Sequence, residues 1–242
     1  MNAMILAAGL GTRLLPFTAS RPKALFEVDG KPLLQHVIER LKEVGVHRLV
    51  VNIHHHADQV EHFLKERDFF GMDARLSDER AALLDTGGAV LHARPLFLPD
   101  LPVLLHNVDI LSDVDLVALR RAHDEHLSRA TLVVQPAVTS RVLRFAPPGF
   151  LSGWEDRSTG EQKIVSDSFH ASLPFSFCGI QLLSPAFLRD IHHRDAFSII
   201  DELLVQARLH QPAPRAFLHD GFCIDAGQAR ENTSGSVIFA GK

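Results

Sequence analysis

Strand and helix signals alternate through the first half of the chain, and two polar clusters fall where apolar strands end. The first cluster, Gly9-Leu10-Gly11-Thr12-Arg13, directly follows the apolar run Met4-Ile5-Leu6-Ala7-Ala8. The second, Asn107-Val108-Asp109, follows the apolar run 103–106. This alternation predicts an α/β fold, a mostly parallel central sheet flanked by helices. We read one domain over residues 1–242, with a hairpin or side excursion around residues 141–170. Ligands in such sheets bind beyond the carboxyl ends of the strands, where both polar clusters lie.

The elements follow in order. Residues 3–6 read as a buried strand. Residues 32–44 read as a helix, with Pro32 at its start, Gly45 as its stop, and Leu33, Leu34, Val37, Ile38, Leu41 and Val44 on one face. Residues 48–53 form the next strand, and Asp58 caps a helix that runs to Arg67. A short strand at 74–77, a helix start at 86–93 and a buried strand at 103–106 come next. A helix at 115–126 and a strand at 131–135 follow. From 141 to 163 the pattern loosens around Pro147-Pro148-Gly149 and the turn-rich residues 156–160. A strand resumes at 177–183, Ser184-Pro185 opens a helix, and residues 198–209 are amphipathic. Short strands at 216–218 and 222–224 lead to Asp225, and a helix is expected from Gln228 onward.

The bulk numbers suit a globular protein, with 46% hydrophobic and 22% charged residues. A net charge of -4 without a basic stripe argues against a nucleic-acid partner. The apolar start lacks a positive flank and is cut short by Gly9 and Gly11, so it reads as a strand and not as a signal segment. No run approaches the length of a membrane span, and no membrane partner is expected. Cys178 and Cys223 have no metal-ligand spacing and read as two small buried hydrophobes, which suits a cytoplasmic location.

A glycine pair after a strand serves either as a tight turn or as a place where backbone N–H groups meet an anion. Arg13, and Lys23 ten residues on, weigh toward the anion, since Arg grips two oxygens and Lys supplies a point charge. Leu14 stands where a dinucleotide fingerprint has its third glycine, and no Gly-Lys-Ser/Thr closes a Walker loop. The run His54-His55-His56 does not read as a metal site, because neighbours on a strand face opposite ways. Glu161 and Lys163 read as a solvated hairpin.

The stretch from Leu6 to Pro16 and on through Arg21-Pro22-Lys23 resembles the signature of the sugar-1-phosphate nucleotidyltransferases. Further blocks carry the likeness across most of the chain: Gly30-Lys31-Pro32-Leu33, Asp85-Thr86-Gly87-Gly88, Asn107-Val108-Asp109, Phe177-Cys178-Gly179-Ile180 and Ile224-Asp225-Ala226-Gly227. Their order and shortness are most similar to the compact branch that includes N-acetylmuramate-1-phosphate uridylyltransferase. The resemblance implies a nucleotide-diphospho-sugar transferase fold, Rossmann-like, and the reaction of an NTP, UTP as the first choice, with a sugar 1-phosphate. It implies nucleotide contacts from Leu6, Ala7, Ala8, Gly9, Gly11, Thr12, Gly88 and Asn107, with Arg13 on the β- and γ-phosphates and Lys23 on the α-phosphate. Gly179 would approach the sugar, and Asp109 and Asp225 would share Mg²⁺. It leaves a homo-oligomer open and places the enzyme in nucleotide-sugar synthesis for the cell envelope.

Several positions depart from the common pattern. Val108 replaces a usual Gly, Asp85 a Glu, Cys178 a small residue, Phe222 a Trp and Gln228 a Thr. None removes a charged group, so these departures bear on substrate choice. Two other classes remain as alternatives: a non-catalytic sugar-nucleotide sensor, against which the retained charges count, and a nicotinamide oxidoreductase, against which Arg13 and Leu14 count.

Overall fold

The computed structural model describes residues 1–11, 18, 20–228, 230–231 and 237–238. The chain opens with β1 (Asn2–Leu6), passes through a single 3-10 turn at Lys23–Leu25, and forms the ribbon β2 (Glu27–Val28) and β3 (Lys31–Pro32). It continues with α1 (Leu33–Glu43), β4 (Arg48–Ile53), α2 (Ala57–Glu66), β5 (Ala74–Asp78) and α3 (Asp85–Ala93). Then come β6 (Val103–Asn107), β7 (Ile110–Ser112), α4 (Leu116–Glu125) and β8 (Ala130–Pro136). The excursion consists of β9 (Arg141–Ala146), β10 (Phe150–Asp156) and β11 (Glu161–Ile164). The chain returns through β12 (Leu173–Leu183), α5 (Pro185–Arg189), α6 (Ile199–Leu209), β13 (Arg215–Leu218) and β14 (Cys223–Asp225). Of the stretch after Gln228, expected as a helix, residues 230–231 and 237–238 form an antiparallel pair, β15 (Arg230–Glu231) with β16 (Val237–Ile238), and the rest lies outside the described residues.

Ten strands form the main sheet, in the order β11-β10-β13-β8-β12-β6-β1-β4-β5, with β9 attached to β10 and β12. The segment β6-β1-β4-β5 is parallel throughout, as the alternating first half requires. Beyond it β12 runs antiparallel to both β6 and β8. The chain reaches β12 from a hairpin excursion and not from a crossover helix, so it enters the sheet from the opposite end. The excursion joins the main sheet. Its strand β9 pairs with β12 through Leu173 to Phe145 and so widens the main sheet.

Two apolar layers cover the sheet. On one face Leu33, Leu34, Val37, Ile38 and Leu41 of α1 join Val60 and Leu64 of α2 and Leu119 of α4. On the other, Ala89, Val90 and Ala93 of α3 pack with Phe187 of α5 and Leu203 and Leu204 of α6. Strands buried on both faces read as continuous apolar runs, and this is why β1, β4 and β6 were visible in the sequence. Burial at about 25 cal/mol per Å² of apolar surface makes these layers the main support of the sheet edge that carries the site.

Helix ends follow local chemistry where it was available. Asp115 caps α4 by accepting from the amides of Val117 and Ala118, and Ser184 and Ser198 cap α5 and α6. Asp58, expected as a cap, lies inside α2. His56 occupies the cap position in a left-handed conformation (φ 52°), and its side chain makes no capping bond. Pro32 likewise precedes α1 as its cap rather than opening the helix.

Candidate active site

The carboxyl ends of β1, β4 and β6 lie level, with Leu6 opposite Asn52 on one side and Asn107 on the other. The chain leaving β1 turns over this edge and closes a cavity of about 500 Å³. Ala7, Ala8, Gly9, Leu10 and Gly11 form one wall, with Lys23 and Asp109 at one end and Glu79 and Thr86 at the other. Gly11 adopts φ +65°, a left-handed conformation natural to glycine, and a Cβ there would come within 2.9 Å of the Thr18 methyl. Thr18 fixes this turn by donating its hydroxyl to the Gly11 carbonyl at 2.8 Å. Thr12 and Arg13 lie outside the described residues.

Asn52 holds the other end of the turn. Its side-chain oxygen accepts from the amides of Ala7 (2.7 Å) and Ala8 (3.3 Å), and its NH₂ donates to Glu79 at 2.8 Å. Both residues are buried. Burial pushes the Glu79 carboxyl above its ordinary range, and hydrogen bonds from Asn52 and the Leu84 backbone only partly offset this. His54 fixes Glu79 further, its Nδ1 lying 2.7 Å from the Glu79 carbonyl oxygen. Asn52 and Glu79 escaped the sequence reading. The available signal was Asn52 itself, one amide in an otherwise apolar strand.

Lys23 enters from the 3-10 turn after Pro22 and is buried. Its ammonium donates to Asp109 and stands 4.0 Å from Asp225. The two aspartates are 116 residues apart but meet through backbone pairing: β14 runs antiparallel to β7, with Asp225 opposite Ile110. The Ala226 amide then donates to the Asp109 carbonyl at 2.7 Å. Asp225 also accepts from the Gly227 amide at 2.7 Å. Gly227 leaves room for the cation, since a Cβ there would sit 2.7 Å from the Lys23 nitrogen. A cation thus already rests between these carboxylates, in a pocket shaped for positive charge.

Three other expected residues are placed as follows. Asn107 lines the cavity. Gly179, at φ +69°, packs against Asn107, whose amide nitrogen would stand 2.8 Å from an added Cβ. Gly88 is buried within α3, and the cavity wall beside it is made by Asp85 and Thr86. Among the described residues no group of three or more His, Cys, Asp or Glu side chains is placed to hold a metal ion, the histidine run included. Lys163 is occupied elsewhere, paired with Asp201 at 2.8 Å and lying over the Trp154 ring.

The sequence model of the nucleotidyl transferase family matches residues 2–145, which include the glycine turn, Lys23, Asn52 and Asp109. The chain belongs to this family. Among curated nucleotidyl transferase relatives, an N-acetylmuramate alpha-1-phosphate uridylyltransferase of Caulobacter vibrioides is 50% identical over 109 residues, 44% of this chain and 45% of that protein. A probable mannose-1-phosphate guanylyltransferase of Oryza sativa subsp. japonica is 30% identical over 246 residues, 99% of this chain and 64% of the relative. The chain thus spans roughly half to two thirds of the length of these relatives. Among solved structures, HddC from Yersinia pseudotuberculosis complexed with GMP-PN superposes with a TM-score of 0.73 at 22% identity, over 93% of each chain. A putative glucose-1-phosphate thymidylyltransferase from Bacillus anthracis does so with a TM-score of 0.76 at 18% identity, over 94% of this chain and 90% of that one. These likenesses establish the fold as that of nucleotide-diphospho-sugar transferases. No helix among the described residues is long and apolar enough to cross a membrane.

Proposed function

We propose that this chain, working as one domain, transfers a nucleotidyl group from an NTP to a sugar 1-phosphate, giving a nucleoside-diphosphate sugar and pyrophosphate. The observation that carries this reading is the Lys23 ammonium held between Asp109 and Asp225 at the end of a cavity walled by the glycine turn. UTP is the first choice of nucleotide, from the likeness to uridylyltransferases. From the same likeness we place the enzyme in the cytoplasm, supplying nucleotide sugar for the cell envelope.

In this reading the backbone from Leu6 to Gly11, with Thr12, receives the nucleotide. A side-chain-free turn lets N–H groups approach phosphate oxygens. Arg13 grips the β- and γ-phosphates that depart together. Lys23 neutralises the α-phosphate, so that the anionic sugar phosphate can approach in line with the leaving pyrophosphate. No protein nucleophile is needed, because this chemistry depends on positioning and charge stabilisation. Asn107 lines the nucleotide cavity. Gly179 shapes the sugar side, and Gly88 lets α3 sit close enough for Asp85 and Thr86 to form the base and ribose wall.

Asp109 and Asp225 would hold Mg²⁺. Two hard carboxylates converging on a cation fit an ion that takes one or two protein oxygens and completes its shell with phosphate and water. When bound, Mg²⁺ would draw charge off the phosphate oxygens.

The test is pyrophosphate release by purified protein with Mg²⁺, a panel of NTPs and a panel of sugar 1-phosphates. At least one pair should turn over, with UTP among the accepted nucleotides. Binding of nucleotide without release from any pair would overturn the catalytic reading in favour of a sensor.

A further inference from the structure

The two cysteines of the chain are 45 positions apart in sequence and adjacent in space. Cys178 on β12 is 5% exposed, and Cys223, which opens β14, is partly exposed. Both are free thiols, and the Cys223 Sγ lies 3.6 Å from the Cys178 carbonyl oxygen. The two side chains are also within hydrogen-bonding reach of each other. Contact with the Cys223 sulfur, and then burial, push the Cys178 thiol well above its usual range.

We propose that Cys178 and Cys223 are a modification site: a two-electron oxidant of the peroxide class joins them in a reversible disulfide that displaces Asp225. Neither thiol has a role in the transfer chemistry, so the site goes beyond that reading and rests on it only for its effect on turnover. The chemistry balances in two steps. The Cys223 sulfur attacks hydrogen peroxide, an S–O bond forms, the O–O bond breaks, and the departing hydroxide takes the thiol proton and leaves as water. The Cys178 sulfur then attacks the Cys223 sulfur. The S–S bond forms, the S–O bond breaks, and the hydroxyl departs with the Cys178 proton as water. Two thiols lose two electrons in all, and one peroxide becomes two waters.

The mechanical consequence follows from unequal support. Cys178 sits in the ten-stranded sheet, whereas β14 has three residues and, among the described residues, pairs only with β7. A disulfide draws the sulfurs from non-bonded contact to about 2.0 Å, so β14 is the element that yields. Cys223 and Asp225 lie two positions apart on the same face of β14. A pull on one therefore shifts the other relative to Lys23 and Asp109. Displacements of about 1 Å at a reacting site can reduce rate on the order of a hundredfold.

The experiment treats the full chain with hydrogen peroxide and maps its peptides by mass. A linked pair containing Cys178 and Cys223, lighter by two hydrogens, is expected. It should be reversed by dithiothreitol and absent from Cys223→Ser. Hydrogen exchange at residues 223–225 should change on oxidation. Pyrophosphate release should fall about tenfold or more and recover on reduction, while Cys223→Ser keeps its basal rate and resists peroxide. Absence of the linked peptide overturns the site, and a linked protein with unchanged turnover overturns its effect on Asp225. Equal inactivation of Cys223→Ser places the peroxide damage elsewhere and also overturns it. The mass and exchange readouts decide the disulfide even for a chain that releases no pyrophosphate, so the two readings fail separately.

Discussion

Gly88 of α3 rests directly on the backbone of Asp195: a Cβ built on Gly88 would stand 2.3 Å from the Asp195 carbonyl oxygen. Its neighbour Gly87 donates its amide to the Phe197 carbonyl at 2.8 Å, and the Thr86 hydroxyl accepts from the Ile199 amide at 2.9 Å. The first turn of α3 is thereby clamped to the loop before α6, and this clamp sets the position of the cavity wall.

Gly88→Ala should therefore force α3 and residues 194–197 apart. The obstructing atom is backbone and cannot swing aside. Overpacking of this kind costs about 1–3 kcal/mol, read as a lower urea midpoint with an unchanged slope. Wild-type stability in Gly88→Ala would show that the loop moves freely and that the wall is not clamped.

The glycine turn depends on Asn52 in a comparable way. Asn52→Leu keeps the shape of the side chain but leaves the buried amides of Ala7 and Ala8 without their acceptor and Glu79 without its donor. Unsatisfied buried groups cost about 1–3 kcal/mol each. The turn should loosen, and NTP affinity should fall by about tenfold or more, as read by calorimetry. Unchanged affinity would mean that the turn is held by other contacts.

These two residues mark where the sequence was legible. Asp109 and Asp225 were readable as charges that follow apolar strands, and Lys23 through the likeness of Arg21-Pro22-Lys23 to the nucleotidyltransferase signature. Strands β1, β4 and β6 were readable as continuous apolar runs. Asn52 is a polar residue inside such a run, and nothing local distinguishes a turn anchor from a tolerated amide. The antiparallel course of β12 and the meeting of Cys178 with Cys223 are long-range pairings, set by how the excursion returns and not by any nearby residue. The site, by contrast, was visible as a list of charges. Its geometry came from β14 pairing with β7.

Acid sensitivity should come from buried histidines. Burial lowers the pKa of both His106 and His123 from 6.5 to about 4. An unfolded histidine takes up its proton near 6.5, so between 6.5 and about 4 the unfolded chain binds more protons and stability falls as pH falls. Above that window neither group makes stability depend on pH. By about pH 4 each histidine subtracts on the order of 2–3 kcal/mol. His123→Gln can keep a hydrogen bond to Thr131 but cannot protonate. Its unfolding free energy should fall less steeply between about pH 7 and about pH 4.5 than that of wild type. Parallel profiles would show that His123 is not a source of the acid loss.

Lys23→Met separates charge from shape at the reacting end of the cavity. The long apolar side chain fills the same buried path but leaves Asp109 and Asp225 facing each other without the ammonium they now share. Two opposite effects should follow. Turnover should drop about 10²–10³-fold, the scale seen when one preorganised charge is removed from a transition state. Affinity for Mn²⁺, used as a probe for Mg²⁺, should rise, because the metal no longer competes with Lys23 for the carboxylates. A general folding defect would weaken both, so the opposed signs distinguish loss of a catalytic charge from loss of structure. Near-wild-type turnover in Lys23→Met would remove Lys23 from the chemistry. Unchanged Mn²⁺ affinity would show that Asp109 and Asp225 are not where the metal sits.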